Sequence, residues 1–117
     1  MSYRVAVASS DGKVINQHFG RAGQFLIFDL EEEGPEFYEL RKTAPLCGSE
    51  ANHDDLLQHA VQSLSDCRVI LVSRVGPGAA EALTQAGIQV LAIPGLIEPV
   101  LRKLHHYLRN KDKENQR

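Results

Sequence analysis

Sulfur is scarce in this chain, with two cysteines, Cys47 and Cys67, among 117 residues. That is too few for a four-thiolate metal site built from the chain's own side chains, and in a reducing compartment two such residues read as thiols rather than as a disulfide. There is no excess of basic charge either: the formal net charge is -2, so no global field draws the chain to nucleic acid or to an acidic membrane surface. No run reaches the ~18 consecutive apolar residues of a membrane span, and Met1-Ser2-Tyr3-Arg4 does not open a signal peptide. A cytoplasmic protein is expected. Neither GxxxxGK[ST] nor GxGxxG occurs, no CxxxCxxC triad occurs, and no internal repeat is visible.

What is present is one imidazole in a glycine-flanked loop. The segment Asp11-Gly12-Lys13-Val14-Ile15-Asn16-Gln17-His18-Phe19-Gly20 lies between two apolar runs, Arg4 to Ser9 and Gln24 to Leu30, each of which reads as a strand. Glu31 to Pro35 breaks the second run, and Glu36 to Arg41 resumes it as the return arm of a hairpin. The longest irregular segment, Lys42 to Ala51, carries Cys47.

From Asn52 the period changes. Leu56, Leu57, Ala60, Val61 and Leu64 share one helical stripe, with Asn52 as N-cap and Asp54 and Asp55 in the first turn. Arg68 to Ser73 is an aliphatic run of the kind buried on both faces of a parallel sheet, followed by Gly76-Pro77-Gly78, a helix over Ala79 to Ala86 and a stop at Gly87. Ile88 to Ile93 is the last strand, and Ile97, Val100, Leu101, Leu104 and Leu108 mark a final helix. One domain over 1–109 and a frayed, disordered polar tail over 110–117 are expected.

Right-handed crossovers place the fourth and fifth strands parallel to the first, which gives the expected α/β order 3-2-1-4-5 with helices on the faces. The segments after strands one, three and four then emerge at one sheet edge, where open α/β sheets bind ligands. His18, Cys47 and the Gly76-Pro77-Gly78 turn meet there, the helix start offers N–H groups to an anion, and Arg21, Arg41 and Arg74 add charge. Ser9, Ser10 and Asp11 either line the pocket or serve as a plain turn.

Val5-Ala6-Val7-Ala8-Ser9-Ser10-Asp11-Gly12, Asn16-Gln17-His18-Phe19-Gly20 and Phe25-Leu26-Ile27-Phe28-Asp29 resemble the opening of the nitrogenase iron-molybdenum cofactor biosynthesis family. Arg41-Lys42 before Cys47-Gly48, Asp66-Cys67-Arg68 and Ala86-Gly87-Ile88 extend the likeness over nearly all of Tyr3 to Leu108. The resemblance implies a ribonuclease H-like fold with a five-stranded mixed sheet. It also implies a non-enzymatic carrier of the iron-molybdenum cofactor or its iron-sulfur precursor, with His18 the favoured cluster ligand.

Without the triad, the chain does not make the cluster itself. Its partners are then the cluster synthase, scaffold and apo-nitrogenase, its own state a monomer or weak dimer, and its metal ligands His18 and Cys47. Asn16, Ser10, Arg21, Arg74, Gly76 and Gly78 complete the expected cofactor site. A bulky, soft, anionic unit can be held by one imidazole and one thiolate while other positions stay open for transfer.

The other readings are a carrier of a different metal-sulfur cluster, a small-anion or protein-interaction domain, and a two-metal nuclease. For the last, Asp11, Asp29 and Asp66 fall at separate element ends and strand one carries no carboxylate. His53 reads as an auxiliary ligand or a helix-end residue, and His59 is expected off the apolar stripe. His105 and His106 are expected at the basic end of the last helix, where cations complement its dipole. Cys67 is expected to behave as a small hydrophobe.

Overall fold

The computed structural model describes residues 3–43 and 53–115. β1 (Tyr3–Val7), β3 (Gln24–Glu31) and β4 (Gly34–Lys42) form an antiparallel meander, and α1 (His53–Ser63) leads from it to β5 (Val69–Val72). α2 (Pro77–Gln85) then leads to β6 (Gln89–Ala92), and α3 (Ile97–Asn115) closes the chain. The five strands lie in the order β4-β3-β1-β5-β6. β5 is parallel to β1 and to β6, while β3 is antiparallel to β1 and to β4. β1, β4, β5 and β6 therefore point the same way, and their C-terminal ends share one edge.

Alternation along the central strands divides the interior into two cores. Ala6, Ala8, Ile70 and Val72 face α1 and α2, packing on Leu57, Ala60, Val61, Leu64 and Leu83. Val5, Val7, Val69 and Leu71 face α3 and meet Ile97, Leu101, Leu104 and Leu108. β5 is buried along its whole length, as a central parallel strand with helices on both sides must be. Asn52, expected to cap α1, lies outside the described residues. α2 starts at Pro77, two residues before the expected Ala79, because proline is well suited to a first turn whose N–H has no acceptor. Gly87 ends that helix at φ +85°, in the left-handed region that favours glycine.

Three features depart from the sequence reading. A two-stranded ladder joins β2 (Val14–Ile15) to β7 (Gly95–Leu96), pairing Val14 with Leu96 and Ile15 with Gly95. α3 continues to Asn115, so residues 110–115 are helix rather than a disordered tail. The carboxylate of Asp112 is the reason. It accepts two hydrogen bonds from Arg68, at 2.8 and 3.1 Å, and one from the Tyr3 hydroxyl at 2.6 Å. These contacts hold that carboxyl down at about 2. Because the helix runs on, His105 is not at its end. It is buried edge-on against the Tyr3 ring, and burial pushes its imidazole below the ordinary value. His59 is exposed, as expected. No helix among the described residues is long and apolar enough to cross a membrane.

Candidate functional site

The loop after β1 is built from its own polar side chains. The fully buried Ser9 hydroxyl accepts the N–H groups of Asp11 and Gly12, at 3.3 and 3.0 Å, and donates to the Asp11 carboxylate. That carboxylate accepts the N–H groups of Lys13 and Val14, which hold its pKa below the ordinary range. Gly12, at φ +76°, makes the turn. Ser10 and Asn16 bond to each other twice, N–H to Oδ1 at 3.0 Å and Nδ2 to Oγ at 2.9 Å. Both residues sit beside the expected site, and these bonds engage them in shaping the loop.

Beyond this turn the chain crosses the sheet edge. Ile15 is buried in the α3 core and Phe19 in the α1/α2 core, so Asn16, Gln17 and His18 pass over the strand ends between two anchors. Gln17 fills the gap between β1 and β5: its N–H donates to the Ala8 carbonyl at 3.3 Å, and its carbonyl accepts the Ser73 N–H at 3.0 Å. His18 forms an isolated parallel bridge with Arg74, and the Phe19 N–H donates to the Arg74 carbonyl at 2.9 Å. A 3-10 turn over Phe19–Arg21 brings the Arg21 N–H onto the His18 carbonyl at 3.1 Å.

The result is a half-buried His18 whose backbone neighbours, Arg21 and Arg74, are both exposed and form no ion pair among the described residues. Two residues past Arg74 stands Gly76, the N-cap of α2. A Cβ at Gly76 or Gly78 would meet nothing within 4 Å, so both glycines leave the helix start open to approach. Neighbouring Ser73 has a buried hydroxyl with no hydrogen-bond partner among the described residues. It was not legible as a site residue, since a serine ending an aliphatic strand carries no signal of its own.

Of the other expected members, Arg41 is engaged elsewhere. Cys47 lies outside the described residues. Arg41, expected to add charge at the edge, instead donates to both Asp66 oxygens at 2.7 Å and to the Ser63 carbonyl. Arg4 joins Asp66 to Asp29, so these two carboxylates are engaged by guanidinium groups. Burial pushes the Cys67 thiol up to about 12, the condition of an inert core residue. Among the described residues no three His, Cys, Asp or Glu side chains converge as a metal site. A cavity of about 670 Å³ opens away from His18, between the start of α3 and the β3–β4 hairpin.

The family model described as "Dinitrogenase iron-molybdenum cofactor" matches residues 1–107. The chain is 37% identical over 103 residues to the FeMo cofactor biosynthesis protein NifB of Frankia alni, covering 86% of this chain and 20% of that protein. It thus spans about a fifth of the length of the NifB relatives it matches. Protein NifX of Sinorhizobium fredii is 27% identical over 112 residues, covering 91% of this chain and 70% of that protein. Among solved structures, the apo orange protein of Desulfovibrio gigas superposes with a TM-score of 0.61 at 25% identity, covering 92% of this chain and 88% of the other.

Proposed function

This chain belongs to the dinitrogenase iron-molybdenum cofactor family, and on that premise we propose that it carries an iron-sulfur-based metallocluster, the iron-molybdenum cofactor or its precursor, during nitrogenase cofactor assembly. The observation that carries this reading is the His18–Arg74 bridge at the C-terminal edge of the sheet. It sets the backbone of a half-buried histidine next to that of an exposed arginine, which supports an imidazole ligand in a cationic setting. His18 ligates the cargo through a ring nitrogen, and Cys47 is the second, softer ligand. The guanidinium groups of Arg21 and Arg74 donate to its anionic periphery. The first turn of α2 directs unpaired N–H groups toward the same charge, with Gly76 and Gly78 keeping the path clear. Ser10 and Asn16 hold the loop in shape.

Few ligands suit a carrier, since each bond to the cargo has to break on delivery. We read the protein as non-enzymatic and cytoplasmic, as a monomer or weak dimer, with the cluster synthase, scaffold and apo-nitrogenase as donors and acceptors. The sheet order and the helices on both faces support a ribonuclease H-like classification. The test is anaerobic reconstitution of the chain and of His18→Ala with isolated iron-molybdenum cofactor and with a [4Fe–4S] cluster, read by elemental analysis and electron paramagnetic resonance. The expected result is cluster retention by the unmodified chain and at least a tenfold weaker hold in His18→Ala at unchanged unfolding midpoint. Equal retention by both removes His18 from the ligand set. No retention by the unmodified chain overturns the carrier reading.

A further inference from the structure

We propose that the groove between the start of α3 and the β3–β4 hairpin is a second binding site, for an amphipathic organic anion of the medium-chain carboxylate class. Its volume, about 670 Å³, falls in the range of small-molecule sites. The apolar surface comes from four elements: Phe28 of β3, Pro35 of β4, Leu96 of β7, and Ile97 and Leu101 of α3. Leu96 is 60% exposed and gives the groove an open apolar rim.

The electrostatics select the charge of the occupant. Lys13 stands on the lining without an ion pair among the described residues. Arg102 and Glu98 also line the groove and are joined at 3.0 Å, which leaves that pair near neutral. The N-terminal end of α3 faces the same space and contributes the positive pole of a 19-residue helix. One carboxylate thus stands against two cationic side chains and a positive dipole end. An apolar body with a single acidic head matches this combination: the chain lies along Phe28, Leu96 and Leu101, and the head meets Lys13.

The test is an NMR titration of the apo protein with octanoate, compared with octan-1-ol, which has the same chain without the charge. Saturable shifts at Phe28, Leu96 and Leu101 are expected, with binding about threefold weaker for Lys13→Gln and for octan-1-ol, the scale of an exposed ion pair. Leu96→Asp abolishes the shifts. Both residues are exposed, and a thermal melt verifies that the variants fold. Shifts that rise linearly or scatter over the surface overturn the proposal. Equal affinity for octan-1-ol and octanoate overturns it too, as do shifts at these residues that follow protein concentration alone. His18→Ala binds octanoate like the unmodified chain, so this result stands apart from the fate of the cluster reading.

Discussion

Replacing Phe19 by alanine measures how firmly the His18 loop is fastened. Phe19 is 3% exposed and packs in the α1/α2 core, its ring centroid 5.8 Å from that of Phe25. Truncating a buried phenylalanine costs about 3–5 kcal/mol, the upper end applying where the surroundings cannot collapse. Here Ala22 and Val75 are the packed neighbours nearest in sequence to the loop and to the end of β5, and a 3-10 turn yields more readily than a helix, so the lower end is expected, about 3 kcal/mol. For a domain of this size that corresponds to a fall in Tm of roughly 10–15 °C. Urea unfolding followed by circular dichroism gives the free energy directly, with an unchanged m-value showing that the transition is still two-state. His18→Ala, one residue away but only half-buried, serves as the control and shifts stability by about 0.5 kcal/mol or less. A Phe19→Ala loss below about 1 kcal/mol, or a loss equal to that of His18→Ala, refutes the reasoning that this side chain anchors the loop.

Asp66 is held well below the ordinary carboxylate range, first by Arg41 and then by Arg4. Its stabilising contribution is therefore present above the unfolded-state value near 4 and is lost as pH falls through that value toward the folded one. Urea midpoints between pH 7 and pH 3 should fall steeply for the unmodified chain and less steeply for Asp66→Asn, and parallel acid limbs would contradict this. With Cys47→Ser leaving Cys67 as the sole thiol, Ellman's reagent at pH 8 should label the native protein slowly and the urea-unfolded protein at once. Rapid native labelling would mean that the thiol is neither buried nor raised. Gly87→Ala should destabilise by about 1 kcal/mol because φ is +85° there. Gly76→Ala, with φ -75° and open space around its Cβ, should leave the melting temperature nearly unchanged. Equal effects at the two glycines would contradict the backbone assignments.

The elements with strong local patterns were legible in the sequence. The aliphatic runs of β1 and β5 and the stripes of α1 and α3 declare their burial residue by residue. β2 and β7 were not, because two residues carry no period, and their pairing joins positions about eighty residues apart. The length of α3 was hidden for a related reason: Asp112 looks like part of a polar tail until Arg68, 44 residues earlier, is brought beside it. The same extension moved His105 from a supposed helix end into the core. At the candidate site, the glycine-flanked histidine stood out, whereas the commitment of Arg41 to Asp66 depends on side-chain reach that no spacing rule encodes.

The segment bearing His18 is pinned below by Ile15, above by Phe19 and laterally by the short ladder to Gly95 and Leu96. A backbone mounted this way is a mooring post rather than a swinging arm. On the carrier reading proposed above, cargo tied up there would come and go under its own motion, and the choreography of exchange would fall to the visiting molecule.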